Sequence, residues 1–474
     1  ICACLVGSEM CIRDRSNFTI SDFPKGACVH MIGIGGISMS GVAEMLLSLG
    51  YKVSGSDVKA SNLTDRLREN GAEVFIGQSA DNIKSPDAVC YTAAISEDNP
   101  ELVAARKLGV PVLERAELLG ALLELYKYPA AVAGTHGKTT TSSMLSLVLL
   151  AADKDPTILI GGELSQIGGN YRIGGSEYLP FEACEYVDSF LNFKPYVSII
   201  TNIEEDHLDY FKDLNHIISS FVKFASLTSD NGCNIVCIDE NTTRAIVQNV
   251  EKNVITYGVN NNNADYIADN VVLKENGCPS FDVFNKGRFV VHIDLKVAGT
   301  HNICNAVGVT AACEFLGIDA EYIKRGLEEF GGTKRRFDRL GKTETGVEVV
   351  DDYAHHPTEI RTTLETAKKM GYNRVWVAFQ PHTYTRTAAF LEEFASALSV
   401  ADKVMIADVY PAREKYDGTI HSCDLAALIH GSVYMNDMDA MKRYILANAD
   451  PGDLVITMGA GNICNLGYAL VSDR

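Results

Sequence analysis

The chain has 474 residues, of which 46% are hydrophobic, and a formal net charge of −19. This length predicts about three domains of ordinary size, and the hydrophobic share excludes an extended disordered polymer. The acidic balance argues against non-specific binding to nucleic acid or to an anionic membrane surface, so we expect neither partner.

The cysteines and the apolar runs indicate the compartment. None of the thirteen cysteines forms a C-x-x-C pair, and scattered thiols are typical of a reducing cytoplasm rather than of disulfides or zinc. No apolar run approaches the roughly 20 residues that cross a bilayer. The opening ICACLVGSEMCIRDR lacks the basic start of a signal peptide. We therefore expect a cytoplasmic protein in which residues 1–24 are an extension outside the fold that need not be native.

Residues 25–128 read as a first α/β domain. An apolar strand, 27–34, ends in a turn that contains Gly33, Gly35 and Gly36, a helix follows over 38–49, and a second strand ends at Asp57. The pattern is similar to a dinucleotide-binding turn, but Ser38 stands at its third position, which weakens the case for NAD. It predicts a nucleotide-sized phosphate ligand, and the alternative is a tight turn without any ligand.

Residues 129–334 begin with a strand, a glycine loop and a helix. The loop reads Gly134-Thr-His-Gly-Lys138-Thr139-Thr140, and the helix after it carries apolar side chains at helical spacing. Backbone N–H groups and the helix N-terminus favour a phosphate, Lys138 adds a positive charge, and Thr139 offers a hydroxyl to Mg²⁺. Val132 stands where the longer phosphate-loop pattern has its first glycine. The alternative is a Gly/Thr-rich turn that caps a core helix.

Two acidic segments follow within the same domain. Glu185 lies near one apolar segment, and His207 follows the strand 196–202, where the strands of an open α/β sheet hold ligands. A carboxylate and an imidazole suit Mg²⁺. Taken singly, each is more often a solvated acid or a structural histidine. Asp188 is a candidate for a second metal, and we expect no chemistry from 232–296.

Residues 335–474 read as a third domain made of four strand–helix units. Polar residues or glycines follow each strand, which predicts a second doubly wound sheet with its crevice at that edge. At the boundary between the second and third domains, the run Lys334-Arg335-Arg336 predicts a cationic clamp.

Motifs from all three domains resemble the Mur ligase family, in order and in spacing. The segments are GTHGKTT, EACE, TNIEEDHLD, GTHNICNA, RRFD, DDYAHHPTE and FQPHTYTRT. The resemblance extends from about Ala27 to the end of the chain. It implies a Rossmann-like N-terminal domain, a central P-loop ATPase-like α/β domain and a Rossmann-like C-terminal domain.

The resemblance also implies a role for each matching residue. The first turn and Asp57 would bind a UDP-linked substrate rather than NAD. The ATP-binding residues would be Gly134, Thr135, His136, Gly137, Lys138, Thr139, Thr140, His301, Asn302, Arg336 and Asp352. The catalytic set would be Lys138, Glu185, His207 and Arg336, with Thr139, Glu185 and His207 on the metal. His355, His382 and Arg386 would bind the amino acid and the muramyl carboxylate.

This chain departs from the family pattern in three places. Tyr186-Val187 stands within the usual acid-rich string, which leaves the second metal ligand open. Thr383 stands where an arginine often follows the histidine. Lys223 lies near the place of a carbamylated lysine in some relatives, although a surface lysine is the more frequent interpretation.

The expected function is an ATP- and Mg²⁺-dependent ligase that joins L-alanine to the lactyl carboxylate of UDP-N-acetylmuramate in cell-wall precursor synthesis. The expected partners are small-molecule substrates, and the protein would be a monomer or a homodimer. One alternative is another ligase of this superfamily, such as a murein tripeptide-recycling ligase or a folylpolyglutamate synthase. An NAD-dependent oxidoreductase and a non-enzymatic nucleotide-binding regulator are further alternatives.

Overall fold

The computed structural model describes residue 20 and residues 23–92, 94–412, 414–416 and 418–472. The chain divides into two compact units, of which the first ends at Leu125 and the second begins at Tyr126. The predicted extension lies mostly outside the described residues. Ile20, which is described, is buried, and its carbonyl accepts a hydrogen bond from the hydroxyl of Tyr51.

The first unit is a five-stranded parallel sheet with helices between its strands. Its elements are β1 (Cys28–Ile32), α1 (Ile37–Ser48), β2 (Lys52–Asp57), α2 (Asn62–Glu69), β3 (Glu73–Ile76), β4 (Ala88–Tyr91), α3 (Pro100–Leu108), β5 (Val112–Glu114) and α4 (Arg115–Leu123). The strand order β3-β2-β1-β4-β5 places β1 at the centre. The chain leaves β1 towards β2 on one side and returns as β4 on the other, so the crevice of this Rossmann-like sheet lies at the end of β1.

The second unit contains two sheets, and the larger has ten strands. Its strands are β6 (Tyr128–Ala133), β7 (Ile158–Leu164), β8 (Gly169–Arg172), β9 (Tyr178–Glu182), β10 (Val197–Ile200), β11 (Cys233–Cys237), β12 (Val254–Gly258), β13 (Tyr266–Leu273), β14 (Pro279–Asn285) and β15 (Arg288–Asp294). Its helices are α5 (Lys138–Ala151), α6 (Leu214–Ser226), α7 (Asn241–Asn249), α8 (His301–Phe315) and α9 (Ala320–Glu329).

The middle of this sheet positions the glycine loop. The order is β15-β14-β13-β12-β11-β10-β6-β9-β7-β8, and β6 pairs in parallel with both β9 and β10. The carboxyl ends of β6, β9 and β10 therefore meet at one edge of the sheet. The helix predicted after the glycine loop is α5, and its apolar residues Met144, Leu145, Val148 and Leu149 are all fully buried in the main core.

The smaller sheet has six strands in the order β16-β17-β21-β18-β19-β20. The strands are β16 (Asp338–Lys342), β17 (Glu348–Asp352), β18 (Val375–Phe379), β19 (Lys403–Ile406), β20 (Val433–Tyr434) and β21 (Leu454–Met458). The helices are α10 (Pro357–Lys368), α11 (Tyr384–Ala389), α12 (Leu391–Leu398), α13 (Ser422–Ala427), α14 (Met438–Asn448) and α15 (Cys464–Val471). Only the edge strand β16 pairs antiparallel in this sheet, and separate apolar cores cover its two faces.

The predicted fold class is confirmed, because three α/β domains follow one another with Rossmann-like sheets at both ends. Sequence patterns did not predict the antiparallel additions β8, β14 and β15, or the edge strand β16. Asp352, one of the residues predicted for ATP, is the last residue of β17.

Candidate active site

The glycine loop is clamped against the end of β10. Gly134 has a φ of +143°, and a Cβ there would lie 2.0 Å from Thr201 Oγ1, so this position excludes any side chain. The peptide groups of His136 are held from the same side. Its N–H donates to Asn202 Oδ1 at 2.8 Å, and its carbonyl accepts from Thr201 Oγ1 at 2.7 Å. The loop is therefore a rigid turn that leads into the N-terminus of α5.

Lys138 is the first residue of α5, and its side chain folds back over the loop. Its ammonium donates to the carbonyls of Gly134 and Thr135 and to both carboxylate oxygens of Glu185, at 3.0 and 3.1 Å. Burial, the largest single influence, lowers the pKa of Lys138, but Glu185, Cys184 and Glu182 together outweigh burial and raise the pKa to about 12. The side chain is therefore a permanent positive charge at the helix N-terminus.

The three predicted metal ligands follow neighbouring strands. Thr139 comes after β6, Glu185 after β9 and His207 after β10, and Thr139 and Glu185 are buried. The His207 ring packs on the ring of Tyr186, the residue next to Glu185, with centroids 4.6 Å apart. Thr139 and Glu185 offer the hydroxyl and carboxylate oxygens that fit the predicted Mg²⁺, and His207 adds an imidazole nitrogen.

The two further candidates are Asp188, for a second metal, and Lys223, for a carbamylated lysine. Asp188 accepts hydrogen bonds from the hydroxyls of Tyr210 and Ser220, which occupy both of its carboxylate oxygens. Lys223 is exposed on α6.

A cluster of charged groups joins the glycine loop to the third domain. His136 lies between two carboxylates, with Nε2 3.6 Å from Glu204 Oε2 and Nδ1 3.3 Å from Glu359 Oε1. Burial alone lowers the pKa of His136, but the two carboxylates outweigh burial and raise the pKa to about 9. Glu359 also pairs with Arg336 at 3.4 Å, and with His355 at the same distance. Sequence patterns identified neither Glu204 nor Glu359 as a site residue.

A second ionic link lies beside this cluster. Arg386 Nη2 pairs with Asp206 Oδ1 at 2.8 Å, and both side chains are about nine-tenths buried. Burial alone raises the pKa of Asp206, but His207 and Arg386 hold the pKa well below its usual range. The ring of His382 lies 6.0 Å from that of His355, and Arg386 Nη1 lies 3.4 Å from His382 Nδ1, so the structure places these three side chains close together. Asp206 was not predicted.

A cavity of about 770 Å³ opens beside the glycine loop. Residues predicted for ATP contribute to its lining, namely His136, Gly137, Thr140, His301, Asn302, Arg336 and Asp352. Burial raises the pKa of Asp352 to about 6, and its carboxylate accepts hydrogen bonds from the N–H groups of Phe337 and Ala354. The cavity is large enough for a nucleotide-sized ligand.

The stretch 232–296, from which no chemistry was expected, also contributes to the cavity wall. Cys237, Asp239, Glu240 and Asn260 line it, together with Asn202 and Asn305 from other segments. The position of Cys237 and Asp239 at the end of β11 was the available signal, since ligands of open α/β sheets bind there.

The residues predicted to bind the UDP-linked substrate lie in the first unit. Asp57 ends β2, and one of its carboxylate oxygens accepts the N–H of Gly35 at 2.9 Å. A Cβ on Gly35 would lie 2.8 Å from that oxygen, so the glycine permits the contact. Gly33 has a φ of +83°, and Gly36 caps the N-terminus of α1. Asp57 thus fixes the turn that faces the sheet crevice.

Among the helices that the structure describes, none has both the length and the apolar character to cross a membrane.

The sequence matches three domains of one family in chain order. Residues 28–127 match the Mur ligase family catalytic domain, residues 132–313 the Mur ligase middle domain, and residues 335–461 the Mur ligase glutamate ligase domain. Together these segments account for most of the chain.

Relatives and solved structures agree with these matches. The UDP-N-acetylmuramate–L-alanine ligase of Acetivibrio thermocellus is 50% identical over 460 residues, which are 96% of this chain and 98% of that protein. The enzyme of the same name from Caldanaerobacter subterraneus subsp. tengcongensis is 48% identical, over 96% of this chain and 99% of that protein. The crystal structure of UDP-N-acetylmuramate-alanine ligase MurC from Thermotoga maritima has a TM-score of 0.79 at 32% identity. The match covers 94% of this chain and 98% of that one. The chain belongs to the Mur ligase family.

Proposed function

We infer that this chain is an ATP-dependent ligase that joins L-alanine to the lactyl carboxylate of UDP-N-acetylmuramate in peptidoglycan precursor synthesis. The observation that carries this inference is the 50% identity, over 96% of the chain, to a relative named for that reaction. The partly buried Lys138 at a helix N-terminus suited to phosphate, together with the adjacent cavity, provides the chemistry that such a ligase needs.

The reaction has to activate a carboxylate, which is a poor acylating agent. The γ-phosphoryl group of ATP converts the carboxylate to an acyl phosphate, the amine of L-alanine attacks its carbonyl carbon, and the tetrahedral intermediate releases phosphate. Charge develops on phosphate and carbonyl oxygens in these steps, so positioned positive charges and N–H donors supply the catalysis. No covalent nucleophile from the protein is required.

We assign the charge-stabilising roles to Lys138 and Arg336. Lys138 begins α5, so its ammonium and the helix N-terminus act on the same phosphate groups. Arg336 lines the cavity from the junction with the third domain, where Glu359 orients its guanidinium. His301, Asn302 and Asp352 line the same cavity and bind the rest of the nucleotide.

Thr139, Glu185 and His207 are the residues that would hold Mg²⁺. The ion would supply neutralisation of phosphate charge when bound. Glu185 also holds the Lys138 ammonium at 3.0 Å, so it orients the cation of the loop as well.

The remaining residues select the two substrates that are joined. We propose that the turn with Gly33, Gly35 and Gly36, fixed by Asp57, binds the UDP part of the muramyl substrate. His355, His382 and Arg386 bind the carboxylates of the amino acid and the muramyl group, since they offer imidazole and guanidinium donors in one cluster. We place the protein in the cytoplasm, which the free thiols of its described part support.

A substrate panel tests this proposal. The purified chain is incubated with Mg²⁺, ATP and UDP-N-acetylmuramate, and with L-alanine, glycine, L-serine, the murein tripeptide or no amine. ADP release and product mass are measured. We expect ADP and the alanine adduct in equal amounts. Product with the tripeptide but not with L-alanine would identify a recycling ligase instead. Product from a folate and glutamate would identify a folylpolyglutamate synthase.

A further inference from the structure

Two thiols and a carboxylate meet on the wall of the cavity, away from the loop residues described above. Cys237 ends β11, Asp239 follows two residues later, and Cys304 lies in the first turn of α8. The Sγ atoms of Cys237 and Cys304 are 3.5 Å apart. The ligand atoms of all three side chains lie within 4.8 Å of one another. Each of these residues also lines the cavity, so solutes can reach the cluster.

The spacing of the two sulfurs suits a shared metal ion. Two thiolates bound to one zinc at about 2.3 Å with a tetrahedral angle have sulfurs about 3.8 Å apart. The observed 3.5 Å needs only a small adjustment. Asp239 is fixed in place because its carboxylate accepts hydrogen bonds from the backbone N–H groups of Val259 and Asn260, at 2.9 and 3.0 Å.

We propose that Cys237, Asp239 and Cys304 form a binding site for a thiophilic divalent cation, with Zn²⁺ as its representative. These ligands differ in kind from the Thr139–Glu185–His207 set, because thiolates select zinc, cobalt and cadmium over the hard ion Mg²⁺. Three ligands from the protein leave the fourth tetrahedral position open to solvent in the cavity.

Binding couples to the release of protons. The cation replaces the protons of both thiols, which pass to solvent, and the carboxylate binds in its ionised form. Both protons must be displaced at neutral pH, so we expect the affinity to fall about 100-fold for each pH unit of acidification.

Cobalt provides a direct spectroscopic test. The full chain, reduced with a phosphine that does not bind metals, is titrated with Co²⁺ in the absence of nucleotide. We expect one equivalent of Co²⁺ to give a thiolate-to-cobalt charge-transfer band together with tetrahedral d–d bands, and Zn²⁺ to displace it. The absence of a thiolate band in the wild-type chain would overturn the proposal.

Matched variants identify the ligands. Cys237→Ala and Cys304→Ala should each weaken binding at least about 10-fold and reduce the band. Cys233→Ala, in the same strand, and Cys313→Ala, in the same helix, remove buried thiols outside the cluster and should leave the band intact. Asp239→Asn keeps the side-chain shape and should also weaken binding, which gives a readout if a cysteine variant is unstable. An unchanged band in both Cys237→Ala and Cys304→Ala would contradict the assignment.

An effect on nucleotide binding would rest on the proposed function, whereas the cobalt band does not. In the ligase, Zn²⁺ should raise the apparent Kd of ATP in wild type and in Cys313→Ala but not in Cys304→Ala. If cobalt gives the band but the affinity for ATP does not change, the metal site is supported and the nucleotide binds elsewhere in the cavity.

Discussion

Lys138 and Glu185 form a partly buried ion pair at the end of the glycine loop, with N–O distances of 3.0 and 3.1 Å. Taking charges out of water is costly. Removing either partner would therefore leave the other charge without compensation. The pair holds the ammonium at the first turn of α5, where the helix dipole also attracts anions. This one side chain therefore connects the phosphate loop to the predicted metal ligand.

We expect Lys138→Ala to lower kcat by at least about 100-fold, because it removes a charge that stabilises the transition state. ADP release with L-alanine and UDP-N-acetylmuramate measures the loss, and thermal unfolding checks that the variant is folded. Lys223→Ala, which removes an exposed lysine of α6, is the control and should retain wild-type turnover. A Lys138→Ala enzyme within threefold of wild type would contradict the assigned role.

His136 is a second residue whose charge matters, since it lies between Glu204 and Glu359. The pKa of its folded form, about 9, lies above the ordinary value of 6.5. Its stabilising contribution is therefore fully present below about pH 6.5 and is lost as the pH rises through about 9. The imidazolium form joins a loop of the central domain to α10 of the third domain.

A pH series of thermal unfolding tests this link. The Tm of wild type should exceed that of His136→Gln most at about pH 6.5 and least above about pH 9, because only wild type loses a positive charge in this range. Groups that titrate in both proteins contribute equally to both Tm values, so their effect cancels in the difference. A difference that stays constant across the series would show that His136 is not protonated in the folded protein.

At the scale of elements, the glycine loop depends on how closely α5 packs. Gly326 of α9 lies against α5, and a Cβ there would be 2.4 Å from the Cα of Val148. Backbone atoms cannot move aside as a flexible side chain can, so only a glycine allows this approach of the two helices. The contact fixes α5, and with it the position of Lys138 at its N-terminus.

Gly326→Ala should therefore lower the free energy of unfolding by about 1–3 kcal/mol, although alanine is the better helix former. Urea unfolding measures the change. Glu329→Ala, an exposed position of the same helix, is the control and should change stability by less than about 0.5 kcal/mol. A Gly326→Ala protein as stable as wild type would mean that the helices can separate without cost.

Short sequence patterns predicted the elements whose residues are close together in the chain. The strand–glycine loop–helix unit, the buried face of α5 and the polar ends of the strands all follow from short-range spacing. The antiparallel strands β14 and β15 were not predicted, although β14 carries an available signal: its buried Phe281 and Val283 alternate with polar residues at the period of a half-buried strand. Glu204, Asp206 and Glu359 were not predicted as site residues, since each acts on a partner far away in sequence.

At the scale of the whole molecule, the second unit is held together by ionic contacts between its two sheets. Asp206 follows β10 and Arg386 lies in α11, and their side chains form a buried pair at 2.8 Å. An exposed pair, Lys334 with Glu163 at 2.7 Å, spans a similar length of sequence. The two pairs differ in strength, because water and salt screen the charges of the exposed pair.

We expect Asp206→Ala and Arg386→Ala each to lower the free energy of unfolding of the second unit by about 3 kcal/mol, since each leaves one buried charge unpaired. The double variant should cost less than either single variant, because it leaves no buried charge unpaired. Lys334→Ala should change stability by less than about 1 kcal/mol. Denaturant unfolding provides the four values, and strictly additive losses would show that the pair does not interact.

The contacts made by the segment after β10 also set when the site is completed during synthesis. Thr358 donates to Glu204, His356 contacts the carbonyl of Glu205, and Arg386 pairs with Asp206, across 151 to 180 residues of sequence. The glycine loop therefore leaves the ribosome long before the residues that contact the segment after β10 are synthesised. A growing chain can fold its phosphate loop early, but it cannot assemble the charged cluster around it until the last domain emerges. Turnover therefore requires that the third domain has been synthesised and has folded.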